Sequence, residues 1–205
     1  MVGRIQIEIK HCIAFLSLLY LTGSCTSPAN TTDLHLYSTD SIRSGDIILR
    51  KSYGLLSDII VMQLKDTLDV SHCGIIVKDE NQNYKVIHAL SKKVSDADGV
   101  QICTLEYFMN DSQIRTVKVM RFRNDTTGTI AKKAFDYLKL KIPFDEVFNA
   151  KDTTSFYCSE FPIHIIKTSF GVDISQQAAM PKFSVFLNSV YFDEIPFVQK
   201  ANQYY

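Results

Sequence analysis

Alternation and helical spacing divide residues 40–205 into short elements. Ser44-Gly45-Asp46 reads as a turn ahead of the apolar run Ile47-Ile48-Leu49, a strand. Within 55–64, Leu55, Ile59, Ile60 and Gln63 fall near one face of a short amphipathic helix. Strands over 72–77 and 84–90 flank the polar stretch Lys78-Asp79-Glu80-Asn81-Gln82-Asn83, which suits a hairpin loop. Further strands are predicted over 100–103 and 116–123, with a helical turn at 105–109 between them. Thr129 stands as the cap of a helix over 130–140, in which Ile130, Ala134, Phe135 and Leu138 share a face. A second helix starts near Cys158 and stops around Phe170, where Gly171 suits the position after the last turn. The tail from Pro181 onward is rich in Phe and Tyr and reads as packing. Strands clustered in the middle, with helices before and after them, predict an α+β fold with an antiparallel sheet.

The chain of 205 residues balances 22 Lys+Arg against 22 Asp+Glu and is 46% hydrophobic. That excludes a wholly disordered chain, and zero net charge argues against a nucleic-acid partner, which calls for a basic excess. No internal repeat or charge block follows residue 40, so 40–205 reads as one domain.

The first residues have a different character. Arg4 and Lys10 precede an apolar run from Ile13 to Leu21, followed by Thr22-Gly23-Ser24-Cys25. At about nine residues the run is too short for the ~20 that span a bilayer, and its flanks match a secretory signal. Leu21-Thr22-Gly23-Ser24-Cys25 resembles a bacterial lipobox, with Thr22 where Leu is common. The expectation is a signal peptide over 1–24, a lipidated Cys25 and a polar tether over 25–39. The mature chain is then an exported lipoprotein of a bacterial envelope, on the periplasmic or outer-membrane face, with a lipid anchor as its membrane contact. With Cys25 lipidated, Cys73, Cys103 and Cys158 remain, an odd number that leaves a candidate reactive thiol.

Two sites carry chemistry. Ser71-His72-Cys73-Gly74 opens one hairpin strand, and Val86-Ile87-His88-Ala89 lies on the other. A turn centred on Glu80 sets His72 opposite His88 on one face, where one imidazole can accept a proton while the other fixes its tautomer. A slip of one residue would separate them. The alternative is two polar residues on a wet sheet face. In Phe156-Tyr157-Cys158-Ser159-Glu160-Phe161 a thiol meets the N–H groups of a helix start, which stabilise a thiolate or an oxyanion. A core cysteine is the alternative there. Cys73 and Cys103 read as packing, and His35 and His164 as tether and helix residues. No CxxC or HExxH spacing occurs, so no metal or other cofactor is expected.

The order of these motifs, with Gly45-Asp46-Ile47-Ile48-Leu49 before them and Pro143-Phe144-Asp145 between, resembles the permuted papain-like amidases of the YaeF/YiiX type. These are relatives of the NlpC-type cell-wall peptidases. The resemblance runs from about residue 44 to Pro181. It implies a circularly permuted papain-like fold, an antiparallel sheet or barrel packed against helices. It also implies Cys158 as nucleophile, His72 as its base and His88 as the group orienting that base. Tyr157, Ser71 and Glu160 fall in the substrate-binding surroundings, with a dipole role also open to Glu160. Asp145 matches as a structural residue. His88 stands where relatives often carry Glu, and Pro162 is a second departure, expected to remove one hydrogen bond from the cysteine helix.

The function implied is a cysteine amidase or peptidase acting through an acyl-enzyme on an amide or ester of the envelope, a wall stem peptide or an acylated lipid. Other readings stay open: an acyltransferase, a metal-binding protein using His72, His88 and Cys158, or an inactive envelope-binding domain.

Overall fold

The computed structural model describes residues 37–149, 152–175 and 181–198. The expected signal peptide, Cys25 and the tether up to residue 36 lie outside the described residues. Tyr37 and Ser38, at the end of that tether, join the folded domain: Tyr37 bridges Val198, and the Ser38 N–H donates to Phe197 O at 2.8 Å.

Six strands form one antiparallel sheet. In chain order they are β1 Ile47–Arg50, β2 His72–Lys78, β3 Tyr84–Leu90, β4 Gly99–Thr104, β5 Lys118–Phe122 and β6 Phe192–Ile195. Across the sheet the order is β4-β3-β2-β1-β5-β6. The helices are α1 Leu55–Leu64, α2 Leu105–Asn110, α3 Thr129–Leu140 and α4 Glu160–Phe170.

Alternation along the strands sends side chains to two cores. Leu49, Cys73, Ile75, Ile87, Ala89 and Phe122 face α3 and α4, and meet Ile130, Ala134, Phe161 and Ile165 there. Ile48, Ile76, Val86 and Val119 face the other way, onto Leu105, Phe108 and Met109 of α2. With both faces covered, the inner strands are apolar at nearly every position; Ile47, Ile48 and Leu49 are each 0% exposed.

The Gly45-Asp46 turn anchors the start of β1. Asp46 is fully buried and accepts two bonds of 2.8 Å from Arg121 of β5, plus one from the Arg43 N–H. A bidentate carboxylate–guanidinium pair of this kind fixes orientation as well as charge.

Several expectations are corrected. The β2–β3 hairpin pairs Ile75 with Ile87 and Lys78 with Tyr84, so its centre lies at residue 81 rather than 80. The cause is the loop: Asp79 Oδ1 accepts the Asn81 and Asn83 N–H groups, and Gln82 takes a φ of 64°. In this register Gly74, not His72, stands level with His88. The shift is two residues, so both imidazoles stay on one face. Thr129 does not cap α3. Gly128 holds that position, and the Asp125 carboxylate accepts the Thr129 and Ile130 N–H groups at 2.8 and 3.1 Å. Pro162, by contrast, does remove one bond as expected: the Phe161 N–H before it reaches Tyr157 O, and Cys158 O, next in that ladder, takes the Cys73 thiol instead. The aromatic tail supplies β6 as well as packing: its Phe192 pairs with Phe122, and Phe186 is buried beside it.

Candidate active site

Cys158 lies two residues before α4, with Ser159 at the N-cap position. The segment is braced from both sides. Phe156 bridges Phe144, with its N–H on Pro143 O at 3.1 Å and its carbonyl taking the Asp145 N–H at 3.2 Å. The Asp145 carboxylate, 1% exposed, accepts the Val147 and Asn149 N–H groups, which is the structural task expected of it. On the other side the Cys73 thiol donates to Cys158 O at 3.1 Å. The β2–β3 ladder begins at Ile75 and Ile87, so the Cys73 N–H has no partner on β3. That N–H turns instead to the Cys158 sulfur, as do the N–H groups of Ser159 and Cys158 itself.

Those three donors favour a thiolate, but burial outweighs them and pushes the Cys158 thiol up to about 12. Cys73 is held well above the usual thiol range, first by burial and then by Cys158. Burial likewise raises Cys103 to about 11. At neutral pH the cysteine at the helix tip is therefore a neutral thiol.

The two histidines meet on the face of β2 and β3 that packs against Phe108. His72 Nε2 and His88 Nδ1 are 2.8 Å apart, and both residues are buried, 5% and 3% exposed. The contact runs diagonally across the hairpin. Phe108 packs against both, 5.7 Å from each imidazole centroid. Burial, then repulsion from His88 and Arg50, holds His72 well below the usual imidazole range. Burial and then Arg50 bring His88 down to about 3. Both rings are neutral at pH 7, so one proton is shared across the 2.8 Å contact, with a donor on one side and an acceptor on the other.

The structure thus brings His72 and His88 together and sets Cys158 at the backbone of Cys73, the next residue along. Among the described residues no hydrogen bond links the Cys158 sulfur to either imidazole.

The residues assigned to substrate binding are all buried. Ser71 Oγ contacts Ser57 Oγ and accepts the Ser52 N–H at 3.1 Å, joining α1 to the start of β2. Glu160 Oε2 accepts the Tyr157 N–H at 3.3 Å, a cap across the first turn of α4. Burial, then Asp145 and Asp152, raises this carboxyl to about 8 against that bond. Tyr157 is 2% exposed, packs on Phe148, and its hydroxyl has no hydrogen-bond partner among the described residues. His164 binds the Tyr137 hydroxyl at 3.0 Å, between α4 and α3.

Sequence reasoning missed Arg50. It pairs with His72 across β1 and β2 and is 5% exposed. Its guanidinium lies 4.2 Å over the Phe108 ring, donates to Phe108 O at 2.8 Å and pairs with Asp111 at 2.9 Å. Alternation from Ile48 was the available signal, since it sends Arg50 to the same face as Ile76 and Val86.

Among the described residues no group of three or more His, Cys, Asp or Glu side chains converges, and His72 and His88 turn their facing nitrogens to each other.

A search of curated proteins finds no match. Among solved structures the chain is similar to the metalloprotein yiiX from Escherichia coli, with a TM-score of 0.54 and 24% identity, covering 67% of this chain and 72% of that one. That likeness carries the fold. The family described as "Permuted papain-like amidase enzyme, YaeF/YiiX" matches residues 41–192, from the turn before β1 to the first residue of β6, and the chain belongs to it, as a cysteine amidase or peptidase.

Proposed function

We propose that this amidase opens an amide or ester bond of cell-envelope material, a wall stem peptide or an acylated lipid, through an acyl-enzyme on Cys158. His72 is the base. Its Nε2 is engaged with His88 Nδ1 at 2.8 Å, and that contact is the observation that carries the assignment. It leaves His72 Nδ1 as the nitrogen that takes the thiol proton, while His88 accepts from Nε2 and fixes the tautomer.

Thiol and base are both neutral at rest, so substrate arrival has to couple proton transfer to attack. The sulfur then bonds to the carbonyl carbon. The N–H groups of Cys158 and Ser159, which face the sulfur at rest, are placed to stabilise the oxyanion. Collapse expels the amine or alcohol, which takes the proton back from His72, and water releases the acyl group. An acceptor other than water would turn the same acyl-enzyme to transfer. The envelope setting rests on the basic, apolar and Cys25-terminated start of the sequence.

The test is hydrolysis of stem-peptide fragments and N-acyl amides, followed by intact-mass spectrometry. Cys158→Ala should abolish turnover and the acyl adduct together, and His72→Ala should lower kcat by about 10²–10⁴. Turnover surviving in Cys158→Ala would overturn the assignment.

A further inference from the structure

We propose that Arg50 is a positioning residue of this amidase: its buried charge lowers the pH at which His88 stops accepting at Nδ1, and so widens the range over which His72 Nδ1 is free to receive the thiol proton. The inference rests on the assignment of His72 as base.

The argument begins with the single proton between the rings. A neutral His88 protonated at Nε2 accepts at Nδ1, so His72 donates from Nε2 and is bare at Nδ1. A fully protonated His88 has donors at both nitrogens. At a separation of 2.8 Å, His72 Nε2 must then accept, and the His72 proton moves to Nδ1. In that state His72 cannot act as base. Protonation of the second histidine therefore switches off the first. A glutamate at position 88 would accept throughout the working pH range; a histidine accepts only while neutral, a state that burial secures first and that a nearby cation can extend to lower pH.

Arg50 is placed to do so. It stands opposite His72 in the register, and its guanidinium stacks on the ring that covers both imidazoles. Phe108 lies against the cation and against both imidazoles, and all four residues are buried, so solvent screens the charge weakly. Guanidinium stays charged where an ammonium would readily lose its proton on burial. Buried charge is costly, and Arg50 Nε has no hydrogen-bond partner among the described residues. The neighbouring groups that bear on this balance are few. Asp111, after α2, partly offsets the guanidinium from a side chain 50% exposed. Cys103 on β4 and Tyr107 on α2 also feel Arg50, and Lys85 of β3 acts on Cys103. Cys158 stands at the N–H of Cys73, the residue after His72.

Three variants of the full chain separate charge from packing. Arg50→Met removes the charge but keeps an apolar stem of similar reach, Arg50→Lys puts an ammonium that burial can discharge in place of the guanidinium, and Asp111→Asn removes the offsetting anion. The acid limb of kcat/KM should move up by about one pH unit in Arg50→Met, up by less in Arg50→Lys and down in Asp111→Asn. Nitrogen-15 spectra of the histidines give a readout without substrate. Wild type should show bare Nδ1 atoms on both His72 and His88 at pH 7, and in Arg50→Met the His72 proton should change nitrogen as His88 titrates. A proton on His72 Nδ1 in wild type, or identical histidine titrations in wild type and Arg50→Met, would overturn the proposal. These spectra do not depend on Cys158, so failure of the nucleophile assignment is read separately, in the Cys158→Ala assay.

Discussion

Gly74 is the point at which the hairpin register and the histidine pair depend on one missing atom. It sits in β2 with ordinary strand geometry, so alanine meets no backbone penalty there. The obstacle is space. A Cβ at Gly74 would lie 2.4 Å from Val86 Cγ1, 3.1 Å from Ile87 O and 3.2 Å from His88 Cβ. Carbon atoms rest in contact at ~3.5 Å, so Val86 has to retreat by about 1.1 Å and His88 by about 0.3 Å. Val86 is fully buried, and a β-branched side chain has little rotamer freedom with which to yield. Overpacking of this kind costs about 1–3 kcal/mol, and a loss of 2 shifts the folding equilibrium about 30-fold. The displacement of His88 adds to the 2.8 Å contact with His72 and takes it towards the ~3.2 Å limit of a good hydrogen bond.

Gly74→Ala should therefore lower the urea midpoint at an unchanged m-value and lower kcat more than it raises KM. The double variant Gly74→Ala/Val86→Ala should recover much of kcat, although Val86→Ala alone leaves a cavity, because it removes the closest clash. A wild-type midpoint together with kcat within twofold of wild type in Gly74→Ala would refute the reasoning.

Two further predictions follow from the helix starts. Because the Glu160 carboxyl is raised to about 8, the folded chain holds a proton that the unfolded chain releases near pH 4.3. Folding stability should then fall as pH rises through that window; Glu160→Gln should flatten the dependence, measured by urea melts between pH 5 and 8.5. Asp125→Ala strips two N–H groups at the start of α3 of their acceptor and should cost about 1–2 kcal/mol in thermal or urea unfolding, whereas Thr129→Ala should cost less.

The helix-tip thiol and the two imidazoles were legible as candidates because their surroundings are local: a cysteine just before an amphipathic run, and histidines at equal parity on two strands. Their relation to one another was not. The hairpin register followed from Asp79 folding its loop around Asn81 and Asn83, a side-chain event that strand periodicity does not encode. The α3 cap came from Asp125 rather than Thr129 for the same reason, since a carboxylate several residues away competes with the nearest hydroxyl.

Sequence by itself determined most of the strands and helices, the two-faced apolar pattern and the residue types able to do acyl chemistry, because burial writes periodicity into the chain. Tertiary structure alone decided which groups share a dielectric environment. It buried Arg50 beside the imidazoles, kept the Cys158 thiol neutral and set it against the Cys73 N–H. Desolvation and the fields of neighbouring charges depend on three-dimensional distance, and residues remote along the chain set them.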